Sequence, residues 1–135
     1  MGNKSLGSSF ERDFGELLSK SGYWVHILQD NRNGQPFDVI AAKNNITRVF
    51  DCKVCSDGFR LSRMEPNQIS AMQLWESCGN QEGAFAIKAL KAGTVYIIPF
   101  RSLLNIRNSG VKFLNIDQIR KLSLEEYVYG TDHQQ

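Results

Sequence analysis

The chain has 135 residues, 41% of them hydrophobic, and its 16 basic and 14 acidic side chains leave a net charge of +2. This length is typical of one domain, so we expect a single domain over residues 1–135, with residues 1–7 and 130–135 flexible. No apolar run approaches the roughly 18 residues that span a bilayer, which argues against a membrane partner. Three cysteines and no apolar leader predict free thiols in the cytoplasm. The mild net charge neither identifies nor excludes a nucleic-acid partner.

The first predicted element is an amphipathic helix that begins at Ser8 and ends at Gly22. Its apolar residues recur at helical spacing: Phe10, Phe14, Leu17 and Leu18. Glu11 lies in the first turn, beside this apolar stripe. Ser8-x-x-Glu11 fits a capping box, in which the Glu side chain accepts a hydrogen bond from the amide of the N-cap residue.

A buried strand is predicted for residues 23–28, YWVHIL, and a polar loop for residues 29–36. We interpret His26 as a structural residue of the strand. The loop places Arg32 near Asp38, where it could contact a phosphate or remain a solvated loop residue.

Residues 37–43 and 46–54 are two predicted strands that flank Asn44-Asn45. Asn tolerates positive φ, so this pair predicts a two-residue type I′ hairpin turn. The turn fixes a register in which Asp38 lies opposite Asp51 on one face of the sheet. Lys53 follows two residues later and shares that face.

Opposed carboxylates repel each other, and a divalent cation between them would offset the repulsion. Mg²⁺ characteristically takes one or two carboxylates together with waters and phosphate oxygens. Two alternatives stay open from the residues alone. Asp38 and Asp51 could be separated surface acids at a solvated hairpin end, or the register could slip by one residue.

The rest of the chain continues the alternation of strands and helices. After a turn or short extended segment at residues 55–63, we predict a helix at 64–79, strands at 84–90 and 94–99, a helix at 100–105 and a small strand at 111–114. Ser123-x-x-Glu126 predicts a last short helix. The main order is α-β-β-β-α-β-β-α, an α/β (α+β) domain around a mixed sheet of about five strands.

Two features of this part of the chain leave their roles open. Gln68, early in the 64–79 helix, could complete a capping interaction with Glu65 or point its amide into the site. Cys52-x-x-Cys55 has no second Cys or His pair for a zinc site, and the odd spacing predicts thiols on opposite faces of a strand.

The ordered set of Glu11, Pro36-Phe37-Asp38 and Asp51-Cys52-Lys53 resembles the PD-(D/E)xK nuclease superfamily. Residues 4–105 are similar to archaeal-type and RecU-like Holliday junction resolvases, and this similarity implies a restriction-endonuclease-like fold. The chain departs from the pattern in three ways. Asp51 replaces the more usual Glu, Phe37 separates Pro36 from Asp38, and there is no room for the long RecU insertion.

The resemblance implies a Mg²⁺-dependent DNA endonuclease, with Mn²⁺ as a possible substitute, that cleaves four-way junctions by symmetric phosphodiester hydrolysis. It implies Lys53 and Gln68 as catalytic residues acting on water and phosphate. The implied metal ligands are Glu11, Asp38, Asp51 and the backbone carbonyl of Cys52. Phosphate contacts are expected from Arg32, Arg60, Arg63, Lys88 and Arg101.

Symmetric cleavage implies a homodimer, and the resemblance places the protein in the cytoplasm of a prokaryotic, archaeal or phage-infected cell. Three other functions stay open. The chain could be another nuclease of the superfamily, acting in DNA repair, restriction or phage DNA processing. It could be a non-catalytic DNA-binding module. It could also be a structural protein whose acids serve only as caps and surface groups.

Overall fold

The structure is a computed structural model that describes residues 3–28 and 36–128. The helices are α1 (Asn3–Lys20), α2 (Pro66–Ser77), α3 (Phe100–Asn108) and α4 (Ile116–Leu122). The strands are β1 (Trp24–Ile27), β2 (Val39–Lys43), β3 (Ile46–Cys55), β4 (Gly58–Arg60), β5 (Ala84–Ala89), β6 (Thr94–Pro99), β7 (Phe113–Asn115) and β8 (Glu125–Val128). Within these residues, no helix is both long and apolar enough to cross a bilayer.

The main sheet has six strands in the order β1-β2-β3-β5-β6-β8. Strands β3 and β5 are parallel, while the other neighbours are antiparallel. A parallel pair needs a long crossover, and α2 lies within it. Strands β4 and β7 form a separate two-stranded sheet, which we call the β4–β7 ribbon. The mixed α+β fold class predicted from the sequence is confirmed, with one more strand in the main sheet than expected.

Both faces of the main sheet are covered. Helix α1 packs Phe10, Phe14 and Leu18 against one face, and the other helices bury Met72, Leu103 and Ile119 against the opposite face. Because side chains alternate along a strand, Val49 of β3 joins the second core and Phe50 joins the first. A polar side chain in the middle of β3 is therefore buried in the protein interior.

Helix α1 begins at Asn3, five residues before the predicted start. Gly7 does not end the helix, since an interior Gly costs only about 1 kcal/mol relative to Ala. Ser8 therefore lies inside α1 and is not its N-cap, so the capping-box interpretation of Glu11 is wrong.

Strand β1 is an outer strand, not the buried strand that its apolar sequence predicted. Trp24 is 63% exposed. Its ring lies parallel to the ring of His26, with 6.2 Å between the two ring centroids. The other face of β1 is shielded, since Val25 and Ile27 pack with the α1 core. The sequence of residues 23–28 does not indicate that one face of this strand is exposed and the other is shielded.

The prediction of a last short helix beginning at Ser123 is also wrong. Helix α4 comes earlier, at a capping box in which the Asn115 side chain accepts from the Gln118 amide. Ser123 ends this helix, and its hydroxyl accepts from the Ile97 amide of β6. The following residues form β8 against β6, because that edge offers backbone partners that a short isolated helix would lack.

The hairpin turn itself can be tested at Asn45, whose φ is 66°. Asn45→Ala should lower the free energy of unfolding by about 1 kcal/mol, since a Cβ disfavours the left-handed region and Ala lacks the local hydrogen bonding of Asn. Asn45→Gly should match or exceed the wild type. Urea titrations would measure both variants, and an Asn45→Ala protein as stable as the wild type would contradict the turn.

Candidate active site

The β2–β3 hairpin brings Asp38 and Asp51 together as the sequence predicted. Asn44 and Asn45 both have positive φ, at 54° and 66°, and Ile40 pairs with Val49 in the expected register. The Asp38 amide donates to the Phe50 carbonyl at 2.9 Å, so hydrogen bonding to β3 continues at the residue before the start of β2. Asp38 therefore lies where the two strands part, beside the middle of β3.

Asp51 is a buried carboxylate with incomplete hydrogen bonding. Its residue is only 3% exposed, and its Oδ2 has no hydrogen-bond partner among the described residues. Burial raises the pKa of Asp51 well above its usual value, and the carboxylate of Asp38 raises it further. Lys53 opposes this shift, since its Nζ lies 3.4 Å from Asp51 Oδ2 in a largely buried ion pair.

Asp38 is held in place by the backbone of β3. Its Oδ2 accepts a hydrogen bond from the Cys52 amide at 2.7 Å. The amide can reach this side chain because regular β2 pairing has ended at that point. Asp38, Asp51 and Lys53 thus form one group on rigid elements, with a backbone donor fixing one carboxylate and an ammonium beside the other.

Cys52 points to the opposite side of β3, into the α1 core, while Cys55 lies in the other core. The predicted separation of the two thiols is confirmed, and the cysteines are free. Burial raises the pKa of the Cys52 thiol, with further contributions from Asp38, Asp51 and Glu11. Cys52 is therefore a neutral packing residue whose backbone, not its thiol, faces the carboxylates.

Glu11 comes from α1, on the side of the sheet that holds the Cys52 thiol. Its charge contributes to the raised pKa of that thiol, which places it near Cys52. Even so, across residues 3–28 and 36–128 no cluster of three or more His, Cys, Asp or Glu side chains has the arrangement of a metal site. The structure brings together two carboxylates and a lysine, and does not add Glu11 as a third carboxylate to this group.

Gln68 occupies the first turn of α2, where its Oε1 accepts from the Glu65 amide at 3.1 Å. The structure therefore has the capping arrangement, with Pro66 at the start of the helix. In this conformation the Gln68 amide group caps α2, and a role with water would need it to leave the cap.

A cleft of about 540 Å³ opens beside Lys53, and we call it the Lys53 cleft. It is lined by Gly7, residues 52–58, Arg60, Arg63, Leu90 and Phe113. Arg63 is fixed there, since it donates to the Val54 carbonyl at 2.8 Å and its guanidinium lies over the Phe59 ring. Two of the predicted phosphate-binding residues thus share a cleft with the predicted catalytic lysine.

The other predicted phosphate-binding residues lie elsewhere. Lys88 is opposite Val54 in the sheet and its ammonium lies 5.9 Å from the Phe10 ring, on the α1 side. Arg101 forms ion pairs with Glu76 and Glu82 and lines a different, smaller cleft. Arg32 falls outside the described residues.

Sequence reasoning did not identify Gly58 and Phe113 as residues of the Lys53 cleft. They meet there because β4 pairs with β7, a contact between segments far apart in the chain. The periodicity of residues 111–114 predicts a strand but does not indicate its partner.

The similarity of this chain to known proteins lies in its fold. No protein-family model matches this sequence, and no curated protein shows significant similarity to it. The fold, however, is similar to that of Hjc from Archaeoglobus fulgidus, a Holliday junction resolvase from an archaeal hyperthermophile. The two structures superpose with a TM-score of 0.65 over 88% of this chain and 95% of Hjc, at 19% sequence identity.

The chain has the restriction-endonuclease-like fold that the sequence predicted. The resemblance drawn from Glu11, Asp38, Asp51 and Lys53 is thereby confirmed at the level of the fold. At 19% identity the similarity extends to the fold and not to the roles of individual residues.

The raised pKa of Asp51 predicts how stability depends on pH. The folded protein binds the Asp51 proton more tightly than the unfolded chain does, so stability falls as pH rises above about 4. Asp51→Asn removes this penalty. In EDTA at pH 7 it should raise the melting temperature by roughly 3–10 °C, as expected for about 1–2 kcal/mol in a domain of this size.

The gain should shrink as pH falls and vanish near pH 3–4, where the carboxyl is protonated in both states. Asp57→Asn is the matched control, since Asp57 is an exposed acid near the same strand and pairs with Lys91. Calorimetry across this pH range would measure both variants. An Asp51→Asn protein less stable than the wild type at pH 7 would contradict the assignment.

Proposed function

We propose that this protein is a metal-dependent DNA endonuclease and that its preferred substrate is the four-way junction. The observation that carries the proposal is the Asp38–Asp51–Lys53 group on a nuclease fold. A buried carboxylate beside a second carboxylate destabilises the folded state unless a ligand uses it. Such strained ionisable groups concentrate at functional sites.

The donor atoms present suit Mg²⁺ or Mn²⁺. Both metals prefer hard oxygen ligands, and Asp51 offers a buried carboxylate oxygen without a hydrogen-bond partner in the described chain. Asp38, Asp51 and the Cys52 carbonyl would hold the ion, with Glu11 contributing through water. A metal bound there would polarise a phosphoryl oxygen and lower the pKa of a bound water.

The protein's own groups then position and stabilise the reacting phosphate. Lys53 is held beside Asp51, so its ammonium can donate hydrogen bonds to a phosphate oxygen and to the attacking water. Arg60 and Arg63 share the cleft and supply cations for the phosphates on either side. Gln68 would orient the water only after leaving its cap on α2.

The junction is favoured over other DNA by the similarity to a resolvase fold along nearly the whole of both chains. Paired cuts on opposed strands need two active sites, and a two-fold symmetric homodimer provides them. A repair, restriction or phage nuclease on the same fold would use the same group on linear or flapped duplex. Cleavage of junction, flap and linear duplex at equal concentration separates these activities.

Lys53→Ala should remove most of the cleavage while leaving the fold intact. Loss of a positioned donor that acts on water and phosphate typically costs about 10²–10⁴-fold in rate. The measurement is single-turnover cleavage of a labelled four-way junction with Mg²⁺. Lys121→Ala is the control, because it removes an exposed lysine on α4 that pairs with Asp117. Cleavage by Lys53→Ala at the wild-type rate would contradict the proposed role.

Metal binding can be tested without any cleavage. Mg²⁺ at about 100 times its dissociation constant should stabilise the wild type by about 2.7 kcal/mol. Asp38→Asn and Asp51→Asn should each lose most of this stabilisation, because each removes a ligand. Asp117→Asn serves as the control, since its carboxylate is exposed on α4. A Mg²⁺-dependent shift in melting temperature that is the same in all four proteins would place the metal elsewhere.

A further inference from the structure

Phe113 is an exposed aromatic ring in the Lys53 cleft. It lies on β7 of the β4–β7 ribbon, directly opposite Arg60 of β4. Side chains opposite each other on paired strands point to the same face. Leu114, the next residue, points the other way and is buried, whereas Phe113 is 42% exposed. The ribbon therefore presents a ring and a guanidinium side by side to the cleft.

Gly58 allows the ring to lie along the ribbon. A Cβ at this position would come within 2.4 Å of Phe113 Cζ and within 2.3 Å of the Leu114 carbonyl oxygen. No side chain fits there, so the tip of the ring packs against the backbone of β4. The ring is positioned by this contact while the rest of its surface faces the cleft.

The surroundings of the ring favour a polyanionic strand. Lys53, Arg60 and Arg63 all line the cleft. The acidic residue that lines the cleft, Asp57, forms an ion pair with Lys91. Within the described residues the side chain of Arg60 has neither an ion pair nor a hydrogen bond, so its guanidinium is available to a ligand. Cations that follow a backbone, with an aromatic face between them, are the recurring features of single-stranded nucleic-acid sites.

We propose that Phe113 stacks on an unpaired nucleobase of the DNA substrate while Arg60 contacts a phosphate of the same strand. This inference rests on the proposed nuclease function and extends it to substrate class. The Lys53 cleft then prefers DNA whose bases are splayed apart next to the scissile phosphate. Base stacking gives this preference without sequence specificity, because every base has an aromatic face.

The test compares two fluorescein-labelled DNA probes in EDTA, where cleavage is excluded. One probe is a fork with two single-stranded arms, and the other is a blunt duplex of the same sequence. Fluorescence anisotropy should show the wild type binding the fork about ten-fold more tightly. Phe113→Leu keeps an apolar side chain against Gly58 but removes the flat ring, and should reduce the preference to about two-fold or less.

Two further variants separate stacking from a general loss of structure. Phe113→Tyr keeps the ring and should retain the ten-fold preference. Trp24→Leu removes another exposed ring, on the outer strand β1, and should also retain it. Melting temperatures of all four proteins establish that the comparison is between folded molecules.

The outcomes distinguish this inference from the proposed function. If the wild type shows no preference for the fork, or if Phe113→Leu keeps the preference, base stacking at Phe113 is overturned even when junctions are cleaved with Mg²⁺. If the preference depends on Phe113 but no DNA is cleaved, the stacking site stands and the nuclease proposal falls. Absence of binding to either probe would overturn the stacking site, whatever the cleavage assay with Mg²⁺ shows.

Discussion

Two carboxylates that face each other across an antiparallel hairpin are the constraint on which the candidate site depends. Asp51 is buried in the middle of β3, and Asp38 is fixed beside it by a hydrogen bond from the β3 backbone. Neither can turn away without breaking the sheet or that bond. Lys53 offsets part of the repulsion, but the raised pKa of Asp51 shows that burial and the second acid outweigh it. The folded chain thus holds the two carboxylates and the lysine in place before any ligand binds.

The fold keeps this centre rigid. Strand β3 pairs with β2 on one side and with β5 on the other, and the sheet is packed against hydrophobic residues on both faces. Side chains mounted on such a strand keep their geometry better than side chains on a loop, which is what positioned catalysis requires. Regular β2 pairing ends at Val39, and beyond it the β3 backbone amide of Cys52 donates to the Asp38 side chain.

In the proposed nuclease, chemistry and recognition come from different parts of the chain. The hairpin supplies the carboxylates and the lysine, whereas the β4–β7 ribbon supplies Arg60 and Phe113 to the same cleft. Across the described residues the ribbon makes no strand pairing with the main sheet. In the proposed nuclease, its residues would therefore determine which DNA the cleft accepts without altering the geometry of Asp38 and Asp51.

The sequence by itself determined the hairpin, its register and the shared face of Asp38, Asp51 and Lys53. These follow from a two-residue turn and a period of two, which act over a few neighbouring residues. Tertiary structure alone decided that α1 starts at Asn3, that Gln68 caps α2 and that residues 125–128 join β6 as a strand. It also decided that Phe113 enters the cleft and that Arg101 pairs with acids elsewhere. Such outcomes depend on which distant surfaces meet, and a local pattern carries no information about a partner far along the chain.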